Sequence, residues 1–250
     1  MTDQPKCPIC ETYLVQTSLK YDAQELFDQW ATIHQFSPEV ISEHLEISHE
    51  TTLHRCPKCL IEIFLPQIIG SNRFYQELQD DPAANYYQSE KWDFNEALHE
   101  VRKCHEILEL GCGPGVFLSM ADEFVERAVG TEYNTAALDA SREKGLEVYG
   151  LETDLEPFLE HFDAVFSFHV LEHVADPIEF VKKMVKYTKP GGKICISVPN
   201  QAGPVKYLKN AVMNMPPHHA TRWQLKTFQT MSSLLGLRFI RASYEPLPLS

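Results

Sequence analysis

No stretch of the 250-residue chain approaches the ~18–20 consecutive apolar residues that span a bilayer, so no membrane-spanning helix is expected. Basic side chains are few, 22 Lys and Arg against 35 Asp and Glu, for a formal net charge of -13. A nucleic-acid backbone would meet a mostly repulsive field, which makes it a poor default partner. The opening residues MTDQPKCPIC lack the charged-then-apolar layout of a secretory signal. The expected location is therefore the cytoplasm, where thiols stay reduced and disulfides are rare. Seven cysteines then need a role other than cross-linking. Internal repeats and low-complexity runs are absent as well. Hydrophobic residues, at 44%, suffice for a substantial core, and the length suits one good-sized domain plus a smaller one.

The chain changes texture along its length. Residues 1–65 begin and end with a Cys-x-x-Cys pair, and between them Leu26, Phe27, Trp30, Ile33 and Val40 recur near helical spacing. Ser37-Pro38 interrupts that pattern as an N-cap followed by proline at the first helical position. Two short helices are expected there. Residues 66–105 read as a connecting segment with a helix over 91–103. From 106 onward, strands at 107–110, 128–132, 146–149, 163–168 and 193–198 alternate with helices at 116–125, 136–144 and Pro177–Tyr187. A helix over 223–235 and a strand over 237–244 close the chain. Such alternation predicts an α/β fold with a doubly wound, mostly parallel sheet over 106–250.

The segment Ile107-Leu-Glu-Leu-Gly-Cys-Gly-Pro-Gly115 runs a buried strand into a glycine turn and then a helix, a layout for close backbone approach to a ligand. A dinucleotide fingerprint would place its third glycine at position 116, which is Val. The compressed spacing, with Glu109 two residues before the first glycine, suits a ligand without pyrophosphate. Glu132 ends the next strand, where a carboxylate accepts hydrogen bonds from ribose hydroxyls. A glycine turn that merely packs tightly would need neither acid.

These motifs together resemble the class I, Rossmann-like AdoMet-dependent methyltransferases, in the small-molecule group. ILELGCGPG resembles their motif I, GTEYN at 130–134 the second-strand acid motif, FDAVFSFHVLEHVADP at 162–177 the fourth-strand motif, and KPGGKICISVPN at 189–200 the fifth. The resemblance covers roughly residues 86–244. It implies that Glu109, Gly111, Gly113 and Gly115 cradle the methionine end of S-adenosyl-L-methionine, that Glu132 holds the ribose, and that Asp154 and Leu155 meet the adenine. His169 would line the junction between cofactor and substrate. Tyr86, Tyr87 and Trp92 would belong to a lid or simply pack in the core. The family's final antiparallel strand does not fit in EPLPLS, so the last strand of the sheet is expected to be missing.

Cys7-Pro-Ile-Cys10 and Cys56-Pro-Lys-Cys59 form two matching knuckles, and two such turns complete a tetrahedral structural zinc site. Neither is followed by glycine; Glu11 and Leu60 stand there. Cys104, Cys112 and Cys195 read as small core residues.

Methyl transfer to a hydroxyl or amine needs a base, and histidine is the usual one near neutral pH. The candidates are His169, His173, His218 and His219, the last two in NMPPHHATRW, where Arg222 and Trp223 stand ready to contact an acceptor. His169-x-x-Glu172-His173 also resembles the Glu-x-x-Glu-His arrangement by which some methyltransferases hold a divalent metal, with the first acid replaced. Alternatively, Glu172 and His173 serve only to start the following helix. The expected function is methyl transfer from AdoMet to a small-molecule acceptor, with oxygen as the first expectation and nitrogen or carbon acceptors left open. A protein or RNA methyltransferase that docks through the zinc module, and a non-catalytic AdoMet-binding scaffold, are the alternatives.

Overall fold

A computed structural model describes residues 4–150, 153, 155–207 and 211–246. In chain order the regular elements are β1 (Val15–Asp22), α1 (Ala23–His34), α2 (Pro38–Leu45), β2 (Glu50–Arg55), β3 (Glu62–Leu65), α3 (Asn72–Asp80), α4 (Trp92–Val101), β4 (Glu106–Leu110), α5 (Val116–Asp122) and β5 (Arg127–Glu132). They continue with α6 (Thr135–Glu143), β6 (Glu147–Gly150), β7 (Phe162–Phe168), α7 (Pro177–Tyr187), β8 (Thr188–Ser197), β9 (Thr221–Arg222) and α8 (Leu225–Leu234). The chain divides into two compact units. One comprises Met1–Tyr86, Leu171–Phe180 and Val198–Phe239, the other Tyr87–Val170, Val181–Ser197 and Ile240–Ser250.

The second unit contains the parallel sheet, with strand order β6-β5-β4-β7-β8. All four strand pairs in it are parallel. Apolar runs such as ILEL in β4 and AVFSF in β7 are buried along nearly their whole length, the signature of a sheet covered on both faces. Its core joins Phe94, Ala97 and Val101 of α4 to Phe117 and Leu118 of α5 and to Phe166 and Phe168 of β7. Asn134 caps α6 by accepting from the Ala137 N–H at 3.0 Å. The strand order reverses between β4 and β7. In open parallel sheets, ligands bind outside the strand ends at such a reversal.

The first unit is built on an antiparallel sheet of order β1-β2-β3-β9, whose strands the helical pattern of the sequence had concealed. The two helices expected between the cysteine pairs are present. Ser37 caps α2 as the Ser-Pro signal foretold, accepting from the Val40 N–H at 3.3 Å, and its hydroxyl and N–H both donate to the Glu77 carboxylate of α3. Leu26, Trp30, Phe36, Val40, Phe74 and Leu78 form a core cluster with Val212 and Met215.

Two local expectations need correction. Residues 72–80 form a helix, where only a connecting segment was expected; its apolar face is just Phe74 and Leu78 at i, i+4. Residues 237–244 form no regular strand, although LRFIRASY alternates like one. Ile240 and Tyr244 are exposed there, so the alternation has no sheet face to serve. Among the described residues no helix is long and apolar enough to cross a membrane.

Candidate functional site

The glycine loop leaves β4 at the sheet's reversal point. Gly111 and Gly113 both have left-handed backbones, at φ 78° and 54°, a region that side chains other than glycine's rarely adopt. A Cβ at 111 would stand 2.5 Å from Val170 Cγ2, and one at 113 would stand 2.5 Å from Tyr87 Cε1. The loop is thus pressed against the segment after β7 and under an aromatic ring. Gly115 is the N-cap residue of α5.

Two carboxylates frame this loop. Glu132, at the end of β5, accepts from the Gly113 N–H at 2.7 Å through Oε2, and from the Tyr133 and Asn134 N–H groups at 2.7 Å each through Oε1. Its carboxylate therefore ties the turn after β4 to the turn after β5. Burial raises its pKa, against the pull of those three N–H donors. Glu109 is only 2% exposed, and its Oε2 is buried with no hydrogen-bond partner. Burial lifts its pKa well above the ordinary range, and the charges of Glu132 and Asp93 push in the same direction. A buried carboxylate oxygen without a donor is costly, and an ammonium group delivered by a ligand would remove that cost. Leu155 is buried; Asp154 lies outside the described residues.

His169 directly follows β7 and is left-handed, with φ 54°. Its N–H donates to the Ser197 carbonyl at 2.9 Å. Its Nε2 lies 3.0 Å from Asp93 Oδ2, and the Ser197 hydroxyl donates to the same oxygen at 2.5 Å. Burial works to raise the Asp93 pKa, but its hydrogen bonds with His169 and Ser197 outweigh it and hold the carboxyl below its usual value. Asp93 was not singled out from sequence. Its only signal was an acid in the first turn of the helix before motif I.

The other candidate histidines lie in the first unit, where they form a cluster. The Glu172 carbonyl accepts from the Ala220 and Thr221 N–H groups at 2.9 and 3.1 Å, which stitches the 171–180 segment to the NMPPHHATRW loop. His173, His218 and His219 each bring one ring nitrogen within 4.8 Å of the others. The Nδ1 atoms are anchored: His173 to the His218 carbonyl, His218 to the Met213 carbonyl at 2.8 Å, His219 to Asn214 Oδ1 at 3.1 Å. With the proton on Nδ1 in each ring, the lone pair sits on Nε2. The buried Glu172 Oε1 is 3.9 Å from both His173 Nε2 and His219 Nε2. Arg222 and Trp223 are buried rather than poised for an acceptor. Arg222 donates to the Asn214 carbonyl and Trp223 to the Thr221 hydroxyl.

The same unit holds the four N-terminal cysteines, whose Sγ atoms all lie within 4.8 Å of one another. Cys7 and Cys59 sulfurs are 3.5 Å apart, those of Cys10 and Cys56 3.4 Å. The two knuckles repeat one geometry. Cys7 N–H bonds the Thr12 carbonyl and Glu11 N–H the Cys7 carbonyl; Cys56 N–H bonds Ile61 and Leu60 N–H bonds Cys56, all at 2.9 to 3.0 Å. Glu11 and Leu60, at φ 57° and 68°, take up the left-handed turn that a glycine would fill without strain. Burial raises the Cys56 pKa, whereas the hydrogen bond with Cys59 holds Cys7 down at about 5.

The chain is 29% identical over 99 residues to a Mycolicibacterium smegmatis protein named as a probable S-adenosylmethionine-dependent methyltransferase, which covers 38% of each chain. It is 24% identical over 161 residues to the ubiquinone biosynthesis O-methyltransferase of Proteus mirabilis, covering 57% of this chain and 66% of that one. The chain thus spans less than half of the first relative and just under two thirds of the second. Among solved structures it is similar to a possible histamine N-methyltransferase from Thermotoga maritima, with 19% identity, a TM-score of 0.48, and coverage of 65% of this chain and 77% of that one. A methyltransferase domain family matches residues 73–241, well over half of the chain, and the chain belongs to that family.

Proposed function

We propose that the chain is an AdoMet-dependent methyltransferase acting on a small-molecule acceptor, through an oxygen atom. The observation that carries this reading is the buried Glu109 Oε2, which has no donor of its own beside a loop of left-handed glycines. A ligand that brings an ammonium group to Glu109 and a ribose to Glu132 fits both acids, and the methionine and nucleoside ends of AdoMet supply these groups. Gly111, Gly113 and Gly115 would give close backbone approach, and Leu155, with Asp154, would meet the adenine. The bound cofactor supplies an electrophilic methyl on a sulfonium. The chain's own task is to hold the acceptor in line and remove its proton. Similarity to an O-methyltransferase of ubiquinone biosynthesis supports oxygen as the acceptor atom.

Calorimetric titration with AdoMet and S-adenosylhomocysteine, with NAD as comparator, tests the cofactor. Glu132→Ala is expected to weaken AdoMet binding by about 1–3 kcal/mol, as for a lost hydrogen bond to a charged acceptor. A folded protein that binds neither AdoMet nor S-adenosylhomocysteine would sink the enzyme reading. Tight AdoMet binding without transfer to any acceptor pool would favour a scaffold.

The thiols of Cys7, Cys10, Cys56 and Cys59 fit a structural zinc ion, around which four thiolates at about 2.3 Å from the metal stand roughly 3.8 Å apart. Their packing closes the site, so this ion would have no open position for catalysis. His173, His218 and His219 with Glu172 fit a second divalent ion, and three imidazoles favour zinc, iron, copper or nickel over magnesium. Such an ion supplies Lewis acidity. The role for His218 and His219 is then as ligands rather than bases, which leaves His169 as the base. Elemental analysis of the purified protein is expected to find two metal ions per chain. Replacing both His173 and His219 with Ala removes one and leaves the zinc. Retention of both ions in that variant would refute the second site.

A further inference from the structure

We infer that Asp93 is a positioning residue that fixes the tautomer of His169 and thereby makes its Nδ1 the base for methyl transfer. The inference rests on the methyl transfer proposed above. Asp93 stands at the second position of α4, far from His169 in sequence, yet its Oδ2 lies 3.0 Å from His169 Nε2. Its side chain is only 15% exposed, whereas that of His169 is 36% exposed. The carboxylate is thus the sheltered partner and the imidazole the accessible one. Asp93 divides its two oxygens cleanly. Oδ1 accepts from the Phe94 N–H at 3.1 Å, while Oδ2 accepts from Ser197 at 2.5 Å and from His169.

A carboxylate that only capped α4 would need neither of those last two partners. No side chain caps that helix at Lys91, so Asp93 is not serving as its N-cap either. His169 meanwhile keeps a left-handed backbone, tied through its N–H to Ser197. Strain of this kind at a non-glycine residue persists where surrounding contacts over-determine it, and it gathers at functional positions. Asp93 is also close enough to Glu109 for its charge to help raise that carboxyl, with Lys91 acting in the opposite sense. The dyad therefore shares the neighbourhood of the residue assigned to the cofactor's methionine end.

With Nε2–H donated to Asp93, the lone pair resides on Nδ1. In the step itself an acceptor oxygen attacks the sulfonium methyl. The new O–C bond forms as the C–S bond breaks, and its electron pair returns to sulfur to leave the neutral thioether. The acceptor's O–H proton passes to His169 Nδ1. Asp93, held ionised by its hydrogen bonds, stabilises the resulting imidazolium until solvent takes the proton.

Nitrogen NMR of the full chain labelled at histidine, saturated with S-adenosylhomocysteine at pH 8, reads the tautomer directly. The wild type is expected to carry the His169 proton on Nε2. Asp93→Asn turns an amide donor toward Nε2 and shifts the proton to Nδ1. Transfer to catechol, used as a phenolic probe, is expected to fall about 100-fold or more at saturating AdoMet. His169→Gln should lose as much, and the double variant no more than either. Ser197→Ala, a milder change should Asp93→Asn fold poorly, is expected to slow transfer about 3- to 10-fold and keep the tautomer. A wild-type proton on Nδ1, or a tautomer unchanged by Asp93→Asn, overturns the inference whether or not catechol is turned over. Failure of the underlying methyl-transfer reading shows separately, as absent AdoMet binding in the calorimeter.

Discussion

Cys56→Ser is expected to lose the zinc and to lower the melting temperature by roughly 10 °C or more. Loss of a structural metal belongs to the short list of changes that cost about 4 kcal/mol or more. For a chain of this size, each kcal/mol moves Tm by about 2–4 °C. The site also anchors more than its own loops. The second knuckle is the turn between β2 and β3, and its carbonyls hold the start of α8: Thr227 donates to the Cys59 carbonyl at 3.0 Å and Gln224 to that of Leu60 at 2.8 Å. The first knuckle leads directly into β1. Opening the centre therefore frees the ends of three strands and a helix within one unit. Cys56 has no exposed surface, lies 3.4 Å from Cys10 Sγ and accepts the Cys59 N–H. Serine keeps the volume but is a poor zinc ligand. Differential scanning calorimetry with metal analysis checks the outcome. A Cys56→Ser protein that melts with the wild type would show four thiols that merely pack. Cys112→Ser is the companion control, since that thiol belongs to the other unit.

How much of this was readable beforehand depends on how local the determining contacts are. The parallel sheet was legible because its three central strands are short buried runs, and because the glycine loop, Glu109 and Glu132 lie within 24 consecutive residues. The antiparallel sheet was not. Strand β1 alternates weakly and is mostly exposed, and the last strand, β9, pairs with β3 from more than 150 residues downstream. Ser37-Pro38 gave α2 its start, whereas α3 offered only two apolar residues and a capping Ser71. The histidines could be picked out individually. Their convergence could not, because it depends on the Glu172 carbonyl receiving two N–H groups from the distant 220–221 backbone. Asp93 was missed for the same reason: its meaning lies in a partner 76 positions away, at the end of a strand. The expected strand over 237–244 failed because alternation reports a half-buried surface only when there is a sheet for it to join.

The glycine loop offers the second large effect, in a form where two costs can be separated. Gly113→Ala is expected to weaken AdoMet binding at least 30-fold, about 2 kcal/mol, while the protein stays folded. A left-handed alanine costs about 1 kcal/mol by itself. The remainder comes from the new Cβ, which would stand 2.5 Å from Tyr87 Cε1. Either the ring gives way or the loop does, and the loop's N–H at this residue is the one held by Glu132. Gly145→Ala isolates the first cost. Gly145 is left-handed at φ 81°, yet its Cβ would meet nothing within 4 Å, so it should lose about 1 kcal/mol of stability and no affinity. Adding Tyr87→Ala to Gly113→Ala removes the obstructing ring, and the double variant should bind AdoMet more tightly than Gly113→Ala alone. Calorimetric titration of the four proteins reads the affinities, and their thermal melts read the stability term. Gly113→Ala binding within about threefold of wild type, a difference near 0.6 kcal/mol, would mean that the loop does not cradle the cofactor. A double variant no better than Gly113→Ala would mean that the backbone, and not the ring above it, sets the requirement for glycine.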